Sequence, residues 1–341
     1  MIQVKNISKE FISAKKYPGF RGAIKGLFSN EKITKKAVDN ISFNINKGEI
    51  VGYIGGNGAG KSTTIKMITG ILKPTSGECL VNGINPYKNR IKNAANIGVV
   101  FGQRTQLWWD LPLSESFIIL KEIYQVSDEA YKERIDFLDD VLNIKEFFNR
   151  PVRTLSLGQR MRADLGVALL NNPLVLYLDE PTIGLDVVVK DKIRDAIKKI
   201  NKKYNTTVVL TTHDMDDIEE LCDRIIVIDA GKKIYDGTLD NLKNLYGSKK
   251  RIDIEVKDPR GLAELKYFKE LEEKGYCKLI IDESTKLFTV LFDKNKVQIA
   301  NIINQVMNVV EINDISIKEV ELSNIVKQIY EHKLVKGEKD V

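Results

Sequence analysis

Eight residues, Gly55-Gly56-Asn57-Gly58-Ala59-Gly60-Lys61-Ser62, fit the spacing GxxxxGK[ST], and Thr63 follows them. Their context narrows the choice of fold more than any other stretch. The apolar run IVGYI leads in and STTIKMI leads out. The pattern therefore predicts a strand, a glycine turn and a helix in direct succession. The glycines let neighbouring backbone N–H groups converge on one anion, and the helix N-terminus adds its partial positive charge. Lys61 is placed to reach β- and γ-phosphates, and the Ser62 hydroxyl to ligate Mg²⁺. A chain built around such a unit is an α/β protein that binds a nucleoside triphosphate.

The matching carboxylates come 118 residues after Lys61, in LYLDEP. Asp179 ends an apolar run and is placed to hold Mg²⁺. Glu180, one residue on, is placed to polarise an attacking water. LVLYL (174–178) and VVLTT (208–212) are continuous apolar runs of the kind buried on both faces of a parallel sheet, and a helical stretch near 187–203 separates them.

Leu155-Ser156-Leu157-Gly158-Gln159-Arg160 then opens the helical sequence RMRADLGVALL. It resembles the LSGGQ signature of ATP-binding-cassette (ABC) ATPases, with Leu157 at the third position in place of glycine. Other elements of that family appear in order. Gln103 in VVFGQ resembles the Q-loop, residues 182–186 (TIGLD) the D-loop, and His213 in LTTHD the switch histidine. The resemblance covers residues 1–247. It implies a P-loop NTPase core with a mixed sheet, helices and a helical signature subdomain at about 104–172. It also implies ATP and Mg²⁺ as ligands and a head-to-tail dimer.

In that dimer Ser156, Gly158 and Gln159 of one protomer would close over ATP on the other, with Asp186 beside them. His213 would hydrogen-bond the γ-phosphate and help position Glu180. Gln103 would sense the metal and the attacking water. The adenine-stacking aromatic of the family corresponds to Phe11, with Tyr17 and Phe20 as rivals.

Length and charge refine this picture. The 341 residues carry a net charge of +6. Between Ser13 and Lys36 seven basic residues oppose the single acid Glu31, so this 24-residue insert alone accounts for +6. FRGAIKGLF within it places Phe20, Ile24, Leu27 and Phe28 at helical spacing with basic residues between them, which suits a membrane surface or a partner's cytosolic end. The wording of 101–112 and 154–170 resembles ATPase subunits of ABC-2-type exporters, and implies a separate integral-membrane permease. Trp108 and Trp109 are expected to pack on a partner or in the core.

Several classes are excluded. A composition of 43% hydrophobic and 29% charged residues rules out wholesale disorder. No apolar run approaches the ~18 residues of a membrane span. The polar start MIQVKNISKE is unlike a secretory signal. Cys79, Cys222 and Cys277 read as reduced thiols of a cytosolic protein, and the family resemblance implies a peripheral place at the cytoplasmic face of the cell membrane. The alternative, a soluble ABC ATPase acting on nucleic acid or ribosomes, is disfavoured because one cassette is present. Moreover, only 95 residues separate Lys61 from Ser156, too few for an inserted coiled coil.

After Gly247 the pattern restarts in the order β-α-β-β-α-β-α. This predicts a ferredoxin-like α+β accessory or dimerisation domain at 248–341. It carries no catalytic constellation.

Overall fold

The computed structural model describes residues 1–14, 31–102, 105–246, 249–282, 284–319, 322–327 and 329. Two compact units divide at Gly237/Thr238. The sequence boundary of 247 falls ten residues later. The helix α8 (Leu239–Tyr246), read as the end of the first domain, groups with the second unit instead.

The described residues of the first unit form two sheets. The larger has the order β5 (Ile97–Phe101), β6 (Val175–Asp179), β7 (Thr207–Thr211), β3 (Ile50–Gly55), β8 (Arg224–Asp229), β9 (Lys232–Thr238), and β5 through β8 are parallel neighbours. Their apolar runs are buried along most of their length, as parallel strands covered on both faces require. The register sets Phe101 beside Asp179 and Asp179 beside Thr211. The carboxyl ends of these strands thus form one edge, where ligands bind in open α/β sheets.

The smaller antiparallel sheet has the order β2 (Lys32–Ile45), β1 (Ile2–Ala14), β4 (Ser76–Val81). One apolar cluster joins both sheets to helix α1 (Lys61–Ile68). Ile2, Val4 and Phe43 come from the small sheet, Tyr53, Val209 and Ile226 from the large one, and Ile65 and Met67 from the helix.

The β1–β2 ribbon takes up both ends of the 13–36 insert. Strand pairing continues outward to Ala14 opposite Lys32, so residues 13–14 and 32–36 are ladder, not loop. Residues 15–30, which include Tyr17, Phe20 and the amphipathic FRGAIKGLF, lie outside the described residues.

Between β5 and β6 the described chain is helical, as expected for 104–172. α3 (Leu113–Tyr124) and α4 (Asp128–Leu142) are joined by residues 125–127, and two single 3₁₀ turns, Lys145–Phe147 and Val152–Thr154, lie between α4 and α5 (Leu157–Ala168). α4 begins at a Ser127 cap whose side chain accepts from the Ala130 N–H. Among the described residues, the remaining helices of this unit are α2 (Arg90–Ala94), α6 (Val187–Tyr204) and α7 (Met215–Leu221).

The second unit is a four-stranded antiparallel sheet with order β11 (Cys277–Asp282), β12 (Leu287–Asp293), β10 (Lys249–Val256), β13 (Ile312–Glu319). Helices α9 (Lys266–Glu273) and α10 (Ile299–Met307) follow its first and third strands, which is split-βαβ topology. Its own core includes Ile252, Ile254, Phe268, Phe288, Phe292 and Ile302.

Candidate active site

Local backbone demands explain the glycines of the loop. A Cβ on Gly55 would sit 2.6 Å from Ile228 O, and one on Gly60 would sit 2.6 Å from Ala37 O. Gly58 and Gly60 have φ of 79° and 108°, where L-residues are strained. The turn between β3 and α1 therefore exists only because these positions lack side chains. Ala59 is buried beneath it.

Lys61 is 7% exposed. Its Nζ donates to Gly55 O at 2.7 Å and Gly56 O at 3.2 Å and lies 3.4 Å from His213 Nε2. Burial lowers the Lys61 ammonium from its ordinary value, while Glu180 and Asp179 draw it back up.

A cavity of about 340 Å³ opens over the loop. Gly56, Asn57, Gly58, Gly60, Lys61, Ser62 and Thr63 line its floor, Glu180 and His213 one end, and Phe11, Lys35 and Ala37 the rest. Phe11 is 43% exposed and directly opposite Lys35 in the β1–β2 ladder. The ribbon thus delivers the ring that the sequence singled out. It also delivers Lys35, which sequence reasoning assigned only to the insert's charge. Lys35 and Ala37 alternate on one strand, which is the signal that could have found it.

The acidic side is assembled at the strand ends. Asp179 Oδ1 accepts from the Thr211 hydroxyl, and Oδ2 lies 3.4 Å from Ser62 Oγ. Two hard oxygens meet here beside the loop. This donor set suits Mg²⁺, which keeps several waters and takes one or two protein ligands. The described residues hold no group of three His, Cys, Asp or Glu side chains that could make a closed metal cage.

Glu180 adopts φ 56°, an unusual conformation for a non-glycine residue. Its N–H donates to Thr211 O at 2.8 Å, and its Oε1 lies 2.9 Å from His213 Nε2. The strand-end turn thus swings Glu180 away from the strand and against the histidine. Gly102 N–H donates to Asp179 O at 2.8 Å; the next residue, Gln103, lies outside the described residues.

One buried residue near this pair was missed. Asp217 of α7 is fully buried. Its Oδ2 accepts from the Thr182 and Thr212 hydroxyls, and its Oδ1 from Arg194 Nε at 2.7 Å. It therefore ties the residue two after Glu180 to the residue just before His213.

Ser156 and Gln159 form a reciprocal capping box at the start of α5, with Gln159 N–H to Ser156 Oγ at 3.2 Å and Ser156 N–H to Gln159 Oε1 at 3.1 Å. Gly158 packs on α6, where an added Cβ would lie 3.0 Å from Val189 Cγ1. Asp186 caps α6 by accepting from Val189 N–H at 3.0 Å. None of Ser156, Gly158, Gln159 or Asp186 lines the cavity over Lys61. Trp108 and Trp109 are 39% and 49% exposed, so neither is a core residue, and the Arg160 guanidinium lies 5.5 Å from the Trp109 ring centroid.

A glycine loop at a parallel-sheet edge, a buried lysine, a strand-end aspartate and an adjoining Glu–His pair define a P-loop nucleotide-hydrolysing protein. The ABC transporter family model matches residues 38–183. The ABC transporter ATP-binding protein NatA of Bacillus subtilis is 34% identical over 227 residues, 67% of this chain and 91% of that one. The methionine import ATP-binding protein MetN of Geobacillus kaustophilus is 39% identical over 205 residues, 59% of this chain and 60% of that one. The fold matches the dimeric ATP-binding cassette MJ0796 bound to ADP and Pi, with a TM-score of 0.58 and 29% identity, over 70% of this chain and 99% of that one. The chain belongs to the ABC transporter ATP-binding proteins, an ATP-hydrolysing family whose cassettes dimerise and work with membrane permeases. No helix among the described residues is long and apolar enough to cross a membrane.

Proposed function

We propose that this chain is the peripheral ATPase subunit of an ABC-2-type exporter at the cytoplasmic face of the membrane, working as a homodimer or with a related cassette. ATP lies over the loop of one protomer, its phosphates against the loop N–H groups and Lys61 and its base against Phe11. Ser156, Gly158 and Gln159 of the second protomer, flanked by Asp186, complete the site. Both the loop and the start of α5 present helix N-termini, so each contributes positive potential to the same triphosphate.

Ser62, Asp179 and Gln103 would hold Mg²⁺, which when bound offsets charge on the phosphate oxygens. Glu180 takes the proton of the attacking water. His213 holds Glu180 through the 2.9 Å contact, with its Nε2 also close to Lys61. The observation that carries the reading is this convergence of Lys61, Asp179, Glu180 and His213 at one strand edge.

Glu180→Gln keeps the shape but cannot accept the proton. ATP affinity should stay within about threefold while turnover falls roughly 10²- to 10³-fold, the range of a lost general base. ATP should then trap a stable dimer. Wild-type turnover in that variant would remove Glu180 from the chemistry. Lys61→Ala should lose ATP affinity in a direct binding assay.

Because MetN is an import ATPase, direction is argued from the exporter-like wording of 101–112 and 154–170. Inside-out proteoliposomes containing the co-purified permease test it. ATP added outside should drive substrate inward, and outward movement would contradict export.

A further inference from the structure

The sheet of the second unit carries its charge in rows. Side chains alternate between its two faces, and Ile252 and Ile254 point into the core. On the opposite face, Asp282, Leu287, Glu255 and Asp314 stand side by side across β11, β12, β10 and β13. At the other end of the same face the row is Lys278, Leu291, Arg251 and Lys318. Ile280, Thr289, Asp253 and Ser316 lie between them. One end of the face is therefore acidic and the other basic.

Within a single copy this order is unfavourable at two places. Glu255 stands directly opposite Asp314, and Arg251 directly opposite Lys318. Like charges so placed repel. Asp253 relieves the basic pair: its Oδ1 accepts from Arg251 Nε at 2.7 Å, and its Oδ2 lies 3.6 Å from Lys318 Nζ. The acidic pair has neutral company. Asn313 Nδ2 lies 3.5 Å from Glu255 Oε1, and the Ile315 N–H donates to Asp314 Oδ1 at 2.8 Å.

That last bond also shows which way the edge faces. β13 ends the sheet among the described residues, and the Ile315 N–H, taken by the adjoining side chain, turns away from β10. An edge of this kind is a template for another strand. A second copy of β13 laid antiparallel along it, about a two-fold axis at Ser316, sets Asp314 opposite the partner's Lys318 and Lys318 opposite the partner's Asp314. On the core side Ile315 meets the partner's Ile317, and Ile317 is 48% exposed. Other registers lose the match. Centred on Ile315, Asp314 faces the partner's Ser316 and Lys318 the partner's Ile312. Centred on Ile317, Lys318 faces the partner's Ser316 and Ile315 the partner's Glu319.

We propose that β13 is a self-pairing edge through which two copies of the second unit join in an isologous antiparallel contact centred on Ser316. The two sheets become one, and the acidic row of each copy runs into the basic row of the other. This rests on the homodimer reading above. So short a ladder buries much less than the roughly 1,200 Å² of a stable interface. It therefore acts between chains already paired through their cassettes, at the effective concentration that tether supplies.

The test uses the full chain with Glu180→Gln and Cys277→Ser, which leaves the buried Cys79 and Cys222 as native thiols. Adding Ser316→Cys puts two thiols on Cα atoms about 4.5 Å apart in a non-hydrogen-bonded pair, within disulfide reach. With ATP and copper phenanthroline, most of this chain should become covalent dimer. Asp314→Cys, whose two copies would stand about 13 Å apart, should not cross-link. In sedimentation of the Glu180→Gln chain with ATP, Asp314→Lys should weaken the dimer about tenfold, because two attractive contacts become repulsive. Asp314→Lys combined with Lys318→Asp should restore it. The Asp314→Lys side chain faces Glu255 of its own copy, so urea unfolding should show a second unit at least as stable as before. Cross-linking at 314 as readily as at 316, no cross-link at 316 in a dimer that has formed, or an unchanged dimer constant in Asp314→Lys would overturn the contact. Absence of any ATP-dependent dimer in Glu180→Gln alone would instead overturn the homodimer reading, and the contact with it.

Discussion

At the scale of single residues, Asp217 accounts for how an unusual backbone can be kept at the catalytic edge. Glu180 at φ 56° is held in a sparsely populated region, a strain of order 1–3 kcal/mol that neighbouring contacts must sustain. Asp217 supplies one such contact by binding the Thr182 and Thr212 hydroxyls together and fixing them to Arg194. Asp217→Asn swaps an acceptor for a donor among three donors. It should cost about 1–3 kcal/mol in urea unfolding and slow single-turnover hydrolysis about tenfold, with ATP affinity unchanged. A variant with normal turnover would show that the network only stabilises the fold. Lys61, Asp179, Glu180 and His213 were legible because each sits at a fixed offset within a motif. Asp217 was not, because its partners come from three separate segments and nothing in α7 marks it as buried.

At the scale of elements, strand and helix order followed the apolar pattern wherever one face was buried. The parallel strands and the split-βαβ unit were readable on that ground. The outer half of the β1–β2 ribbon was not. Ile12 is 65% exposed and Ile33 49% exposed, so neither face of that ribbon imposes an alternation.

Helix α5 allows a prediction with a definite sign. The folded-state carboxyl of Asp164 stands near 6, against an ordinary value of 3.8. Between those two pH values the folded chain binds more protons than the unfolded one, so unfolding free energy falls as pH rises through the window. Two pH units correspond to about 3 kcal/mol as an upper figure. Asp164→Asn removes the titration. Its stability should therefore match wild type near pH 4 and exceed it progressively up to about pH 7. Chemical unfolding across pH 4–8 reads this directly, and parallel curves for the two proteins would show that burial does not perturb Asp164.

At the scale of the whole molecule, chemistry and charge separate cleanly along the chain. Every residue placed at the nucleotide site precedes Gly237, and the second unit has its own apolar core. The net charge of +6 equals the excess within residues 13–36. Lys32, Lys35 and Lys36 of that segment lie on the ribbon that also carries Phe11 to the nucleotide cavity. A chain ending at Gly237 should therefore fold and bind ATP within about twofold of the full protein. If the second unit is a dimerisation domain, its loss removes an interaction that is intramolecular once the cassettes have met. The effective concentration such a tether supplies is lost with it. The Glu180→Gln version of the shortened chain should then need roughly tenfold or more higher protein concentration to form its ATP-bound dimer. Sedimentation of the two Glu180→Gln proteins side by side measures this. Equal dimer constants would assign the second unit a task other than holding the cassettes together, while loss of ATP binding would show that the first unit does not stand alone.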